Sequence, residues 1–187
     1  MSYGPNPWQQ ASWDWRAAVN FMAGGMGCGL IVFAALASAR GMALALLMAA
    51  GLVLVALGLV AVWLEIGRPW RALHVLANWR RSWMSREAWV AMGLFGAGAA
   101  AAARWPGFPW VAAVLAIAFV YCQARILQAA KGIPAWREPW LTPFLLSTAL
   151  VEGGGLFWVC ATHHGAGTRP LLAVFSALVI VRMLAWL

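Results

Sequence analysis

Charge is what this chain has least of. Only 10% of its 187 residues are charged, against about a quarter in ordinary soluble domains. With 64% of residues hydrophobic, that shortage excludes a soluble globular domain and makes the chain an integral membrane protein. Acidic residues are the scarcest, five against thirteen Lys and Arg, for a net charge of +8. In a soluble protein such an excess would suggest nucleic acid. Here the arginines gather in loops between apolar runs, where they set membrane orientation, so the expected environment is the lipid bilayer and no nucleic-acid partner is expected. The three cysteines, Cys28, Cys122 and Cys160, lie far apart inside apolar segments with no CxxC or metal-ligand spacing, and read as small buried hydrophobes. His74 falls in a loop on one side while His163 and His164 lie at the opposite end, so no haem or metal is expected in this chain. Neither a nucleophile elbow nor a serine paired with histidine at one depth supports an intramembrane protease. The stretch Met1 to Trp15 lacks the basic start and short apolar core of a cleavable signal and is expected to stay on the mature protein.

What is abundant is long apolar sequence. Six runs are near bilayer length, roughly 20 residues for a spanning helix. The spans are placed at roughly 17–39, 42–66, 87–103, 107–127, 140–162 and 169–187, in a single transmembrane domain over residues 1–187. The runs are continuous rather than alternating, and a helix satisfies its backbone groups within its own segment, so helices are favoured over a barrel. The expected fold class is all-α, an integral membrane helical bundle. The last run carries Arg182 and is still apolar at Leu187, so eight helices are the expectation if the chain is a truncated one. Gly24, Gly25, Gly27 and Gly29 resemble a phosphate loop on paper, but they lie inside a span with no preceding strand. Close helix packing through small residues is the better reading there, and likewise for Gly93, Gly96 and Gly98.

Six spans put the N-terminus on the side that holds Arg16, Arg68, Arg71, Arg80, Arg81, Arg86, Lys131 and Arg137, whereas the other side has Arg40, Arg104 and Arg169. The positive-inside rule then places the N-terminus and the basic face in the cytoplasm, in the cytoplasmic (inner) membrane. A loop that docks an acidic partner would carry the same bias. Trp13, Trp15, Trp70, Trp79, Trp83, Trp136 and Trp140 flank the spans on the basic side, as an interfacial aromatic belt does. After Pro69, Trp70, Leu73 and Ala77 recur at helical spacing, which predicts a short helix lying on the membrane surface.

Three carboxylates could carry chemistry. Glu65 closes the second run and Glu87 opens the third, each within about a helical turn of the same basic loop, where they could face each other across a small polar headgroup. Singly, each has a structural reading of equal weight: Glu65 as an ion pair with Arg68, Glu87 as a first-turn carboxylate favoured by the helix dipole, with Ser85 as cap. Glu152 sits mid-span before Gly153, Gly154 and Gly155. An intramembrane carboxylate is a functional candidate by default, here for a proton path, though a hydrogen bond to a neighbouring helix would also hold it. Arg125, near the end of the fourth run, either snorkels to the surface or neutralises a carboxylate.

Glu65 to Trp70 with Arg71, Ala72 and Leu73, followed by Ser85, Arg86 and Glu87, resembles the H-L-G-R/S-P and S-x-E loop of the membrane anchors of DMSO-reductase-type complexes, the DmsC branch of the NrfD-like group. Ala124, Arg125 and Ile126, the turn Ile133 to Trp136, and Trp140 to Pro143 resemble that family's fourth loop and fifth helix, so the likeness covers most of the chain. Tyr3, Gly4, Pro5, Asn6, Pro7 and Trp8 are similar to membrane subunits of the phenylacetyl-CoA:acceptor oxidoreductase type. The resemblance implies an anchor that holds a ferredoxin-like iron-sulfur subunit and a molybdopterin (molybdenum or tungsten) catalytic subunit, whose cofactors are the iron-sulfur clusters and molybdopterin. It also implies exchange of electrons with membrane quinone, ubiquinone or menaquinone. On that basis Glu65 and Glu87 are the catalytic candidates, and Glu65, Arg68, Trp70, Arg71, His74 and Glu87 the quinone-binding ones. Glu152 and Arg125 are candidates for a proton path, and Arg80, Arg81, Lys131 and Trp136 for partner docking. Glu87 matches its family position directly. A histidine stands in the family where this chain has Glu65, a departure that changes the tuning of proton exchange more than its logic.

Two other readings compete with the quinone-reactive anchor. In the first, a passive anchor, basic loops dock partners and quinone binds elsewhere. In the second, a small ion-coupled transporter, Glu152 is the site, but the sequence shows no inverted repeat or paired broken helices of the kind such folds carry.

Overall fold

The computed structural model describes residues 14–37, 41–65, 69–130, 133–161 and 169–185, the side chains at 65, 69–73 and 161 excepted. Within these the chain is all-helical. Its six α-helices are α1 (Trp15–Leu36), α2 (Gly41–Glu65), α3 (Trp83–Ala102), α4 (Phe108–Ala129), α5 (Leu141–Ala161) and α6 (Arg169–Leu184), with 3-10 segments at Pro69–Asn78 and Pro134–Arg137. Four of them, α1, α2, α4 and α5, are long and apolar enough to cross a membrane. Of the others, α6 is described over 16 residues, and the first two turns of α3 carry Arg86 and Glu87.

Local chemistry sets the helix ends. Asp14 caps α1 by accepting from the Arg16 amide at 2.8 Å. The Arg16 guanidinium donates back to the Leu64 carbonyl at 3.3 Å, joining the start of α1 to the end of α2, where a cation suits the helix dipole. Ser82, not Ser85, caps α3, its hydroxyl accepting from the Ser85 amide at 3.4 Å. That moves the start of α3 to Trp83, four residues before the expected boundary, and carries Glu87 past the first turn. The stabilisation by the helix dipole expected for Glu87 is correspondingly reduced, because that effect fades beyond the first turn. Gly107 in the left-handed region (φ 81°) and Pro109 open α4.

Helix α1 is the centre of the bundle, packed on α2, α4 and α5. From Leu30 to Ala35 it is buried on every side, as expected of a helix that is apolar all round. Helices α3 and α4 form an antiparallel pair, and α6 is carried on α5. The tightest crossing is between α1 and α5. A Cβ at Gly29 would overlap the Ala149 carbonyl, and one at Gly153 would overlap the backbone of Gly29 and Leu30. Small residues that let backbones meet are the main adhesive where lipid is as apolar as leucine, so Gly153 and Gly154 bring α1 close while α5 continues unbroken to Ala161. Of the α3 glycines only Gly98 is tightly packed, against Leu52, while Gly96 faces open space.

The outward face is equally informative. Leu46, Val53, Leu57, Val60 and Leu64 on α2, and Val111, Val114 and Ile117 on α4, are exposed apolar residues at helical spacing. Continuous apolar stripes of this kind suit contact with lipid. Cys28 and Cys122 are buried, as expected, but Cys160 is only partly so.

Candidate functional site

The one buried carboxylate side chain among the described residues is Glu87, 7% exposed, which α3 turns inward toward α4 and toward Asn20 of α1. Its polar neighbours come from those two helices: the side-chain amides of Asn20 and Gln123 both lie beside the carboxyl group. Each is itself buried, at 5% and 2% exposure. Gln123 also donates from Nε2 to the Asn20 backbone carbonyl at 3.2 Å, which fixes its amide between the helices. Helix α2 closes the cluster from behind, where Gly58 packs on the backbone of Asn20.

This cluster is not internally complete. Glu87 Oε1 and Asn20 Oδ1 are both buried and have no hydrogen-bond partner. Buried polar atoms are nearly always satisfied, and an orphan marks a place where a ligand, water or proton belongs. The site can therefore accept a donor from a bound molecule at Oε1, or hold a proton there that donates to one.

A second group of residues fastens the preceding loop onto α3. Arg86 donates from Nε to the Trp79 carbonyl at 3.0 Å and from Nη2 to the Arg80 carbonyl at 2.8 Å, and Trp89 Nε1 donates to the Leu76 carbonyl at 3.1 Å. Between them is an open cleft of about 410 Å³ lined by Trp79, Arg86, Trp89 and Val90. Arg86 also stacks 4.2 Å from the Trp83 ring, and Arg125 lies 5.0 Å from the same ring. Replacing Arg86 with Met should therefore loosen this loop. Amide hydrogen exchange over residues 76–82 is expected to quicken roughly tenfold, the equivalent of one charge-assisted hydrogen bond, and unchanged exchange would show that the loop is held by other contacts.

The other expected residues are dispersed. His74, Arg80 and Arg81 are exposed along and just after the Pro69–Asn78 segment, and Trp136 is partly buried in Pro134–Arg137. Arg125 neither snorkels free nor meets a carboxylate. It donates to Gln128 Oε1 at 3.0 Å and lies against Trp83, so its tie to the proton path is not one of direct contact. Glu152 lies half-buried in mid-α5, with the charge of Arg182 acting on it from α6. Arg68, Lys131, the Tyr3–Trp8 block, and the side chains of Glu65, Trp70 and Arg71 lie outside the described residues, as do the Glu65–Glu87 pairing and the Glu65–Arg68 ion pair.

A buried carboxylate held by amides at one end of a lipid-facing bundle is a site description without a family. The sequence model of the DMSO reductase anchor subunit (DmsC) matches residues 21–186. The chain belongs to the DmsC family. It matches no curated protein and no solved structure at a significant level. As a DmsC-family protein it is a multi-pass membrane anchor subunit of a molybdopterin oxidoreductase, and a catalytic subunit is its partner. The match to DmsC includes Glu87, Gln123 and Glu152, while Asn20 lies one residue before it.

Sequence reasoning singled out Glu87 but missed Asn20 and Gln123. A signal was available: both are amides inside apolar spans, where a polar side chain is rare and faces the bundle interior. What the sequence could not supply was that three helices bring them to one carboxylate.

Proposed function

We propose that this DmsC-family chain is the quinone-reactive subunit of its complex, exchanging electrons between membrane quinone and the iron-sulfur cluster of a ferredoxin-like partner, with Glu87 handling the accompanying protons. The observation that carries this reading is the buried, unpartnered Glu87 Oε1 among amide side chains. Quinone and quinol differ by two electrons and two protons, so the protein must offer a group that takes or gives a proton at the headgroup while excluding water. A carboxyl at hydrogen-bonding distance can do this, and such groups typically contribute 10²- to 10⁴-fold. Asn20 and Gln123 flank the carboxyl; Arg86 and Trp89 hold the Leu76–Arg80 stretch of the loop over the same end of the bundle. Glu65 ends α2 at that end and is assigned the second proton-exchanging position. Exposed Arg80 and Arg81 extend from the same loop, and with Lys131 and Trp136 they form the proposed docking face on the cytoplasmic side.

The test is on the complex purified in mild detergent. An iron-sulfur protein and a molybdenum or tungsten enzyme should copurify, and a fluorescent quinone analogue should bind to the wild-type complex and lose binding when Glu87 is replaced by Gln. Copurification with analogue binding that is indifferent to Glu87 would favour the passive anchor.

A further inference from the structure

The loops at the end of the bundle away from Glu87 hold cations and no acid. Arg40, Arg104 and Arg169 lie there, whereas the five acidic residues are Asp14, Glu65, Glu87 and Glu138 toward the opposite end and Glu152 inside α5. Arg104 is exposed in the turn between α3 and α4, and its guanidinium has no hydrogen-bond or ion-pair partner among the described residues. Arg86, by contrast, is committed to two backbone carbonyls. The chain offers Arg104 no counter-ion at that end.

The position is also one where arginine is not the usual residue. Helix α3 closes with the Arg104 amide donating to the Ala101 carbonyl at 2.9 Å and the Trp105 amide to the Ala100 carbonyl at 3.0 Å. Arg104 stands at φ 69°, the one non-glycine residue at positive φ among those described. Glycine normally fills this place because it lacks a Cβ. An arginine held there against that preference points to a use for its side chain.

Beside it is a cleft of about 260 Å³ between the end of α1, the start of α2 and the α3–α4 turn, lined by Arg104, Trp105 and Trp110 together with Gly41, Leu44 and Gly107. A Cβ on either glycine would meet nothing within 4 Å, so the chain leaves this space unfilled. Its walls join a cation to two exposed indoles. That combination suits the headgroup level of a bilayer, where tryptophan gathers and basic pockets between helices hold anionic headgroups. From Trp110 onward α4 turns Val114, Ile117 and Tyr121 outward, at spacings that keep all four on one face of the helix. At about 1.5 Å per residue this stripe is roughly 16 Å long, about one leaflet of a hydrocarbon core ~30 Å thick. An acyl chain laid along it would start at the cleft.

We propose that the cleft beside Arg104 binds an anionic phospholipid. The phosphate lies against the Arg104 guanidinium, the glycerol region between Trp105 and Trp110, and an acyl chain on the Trp110–Tyr121 face of α4. A zwitterionic lipid brings its own cation to its phosphate and so answers the unpaired arginine less well. Seated there, the lipid joins the α1–α2 end to the α3–α4 turn. The site does not depend on how Glu87 is used.

The complex is reconstituted in vesicles of equimolar phosphatidylglycerol and phosphatidylcholine and extracted into mild detergent, and its retained lipids are counted by native mass spectrometry. The wild type is expected to keep one phosphatidylglycerol that Arg104→Gly loses, with the preference over phosphatidylcholine at that site falling roughly fivefold, the worth of one arginine at an anionic surface. Glycine is the residue this turn favours, so the variant removes the charge without endangering the fold. Arg104→Lys keeps the charge and is expected to keep the lipid. Arg169→Gln removes a cation at the same end but outside the cleft, and should leave the count unchanged. Equal retention in the wild type and Arg104→Gly would overturn the site. So would an equal loss in Arg169→Gln, the mark of unspecific surface charge, or displacement of the lipid by inorganic phosphate, the mark of a simple ion site. Loss of a partner subunit from the Arg104→Gly complex, with its lipid count unchanged, would overturn it in favour of a protein contact.

Discussion

Replacing Glu87 with Gln is expected to lower quinone-linked turnover of the complex by about 10²-fold or more, while dye-linked activity of the attached catalytic subunit stays at its wild-type value. The substitution keeps size and shape and still places a polar group beside the amides of Asn20 and Gln123, so the packing around position 87 is kept. What it removes is the ability to take and return a proton. Glu87→Ala is a harsher change, since it leaves the two buried amides without their partner at a cost of about 1–3 kcal/mol, and it should reduce the yield of complex as well as its turnover. The contrast between the two variants separates chemistry from folding. Unchanged quinone-linked turnover in Glu87→Gln would sink the assignment.

The second large effect is structural. Gly153→Val is expected to prevent accumulation of the folded anchor, because its Cβ would overlap the backbone of Gly29 and Leu30 rather than a side chain that can rotate away. Overpacking a core typically costs about 1–3 kcal/mol when side chains can adjust; here two helix backbones must separate, and with them the contacts that hold α1 at the centre. Gly155 provides the control. A Cβ there meets nothing within 4 Å, and alanine is favoured over glycine in a helix by up to about 1 kcal/mol, so Gly155→Ala should be neutral or mildly stabilising. Size-exclusion chromatography after heating in detergent would read both, and equal thermal survival of the two variants would show that the α1–α5 crossing is not what holds the bundle.

These two residues differ in how visible they are in the sequence. The helical bundle is legible because lipid demands long continuous apolar runs, and runs of that kind have no other stable use in a chain this poor in charge. Glu87 is legible too, since a carboxylate at the mouth of an apolar run stands out and the surrounding S-x-E pattern resembles the DmsC anchors. Gly153 is visible only as one of three successive glycines. Nothing local distinguishes it from Gly155, and only the position of α1 makes one essential and the other dispensable. The cap of α3 is a similar case: Ser82 and Ser85 are both capable residues, and Ser82 holds the position because the helix extends back to Trp83. Arg86 reads in sequence as one more basic residue setting orientation. Its two bonds to the Trp79 and Arg80 carbonyls depend on how the loop folds back over α3, which composition does not encode.

The cluster around Glu87 shows the same limit in functional terms. Asn20, Gln123 and Glu87 stand on three different helices, and each alone is compatible with a structural hydrogen bond. Their convergence, with two buried oxygens left unpartnered, is what turns three ordinary residues into a site. Family membership then says what kind of subunit carries the site, and the geometry says which buried oxygens in it are left unpartnered.

Electron exchange between a short-chain quinol and the partner's iron-sulfur cluster tests the central claim most directly, measured by electron paramagnetic resonance on wild-type and Glu87→Gln complexes of equal cluster content. The account predicts that the wild-type cluster comes to redox equilibrium with the quinone pool within the turnover time, while in Glu87→Gln the same cluster stays out of equilibrium and responds only to a soluble dye. Equal equilibration in the two complexes would contradict it.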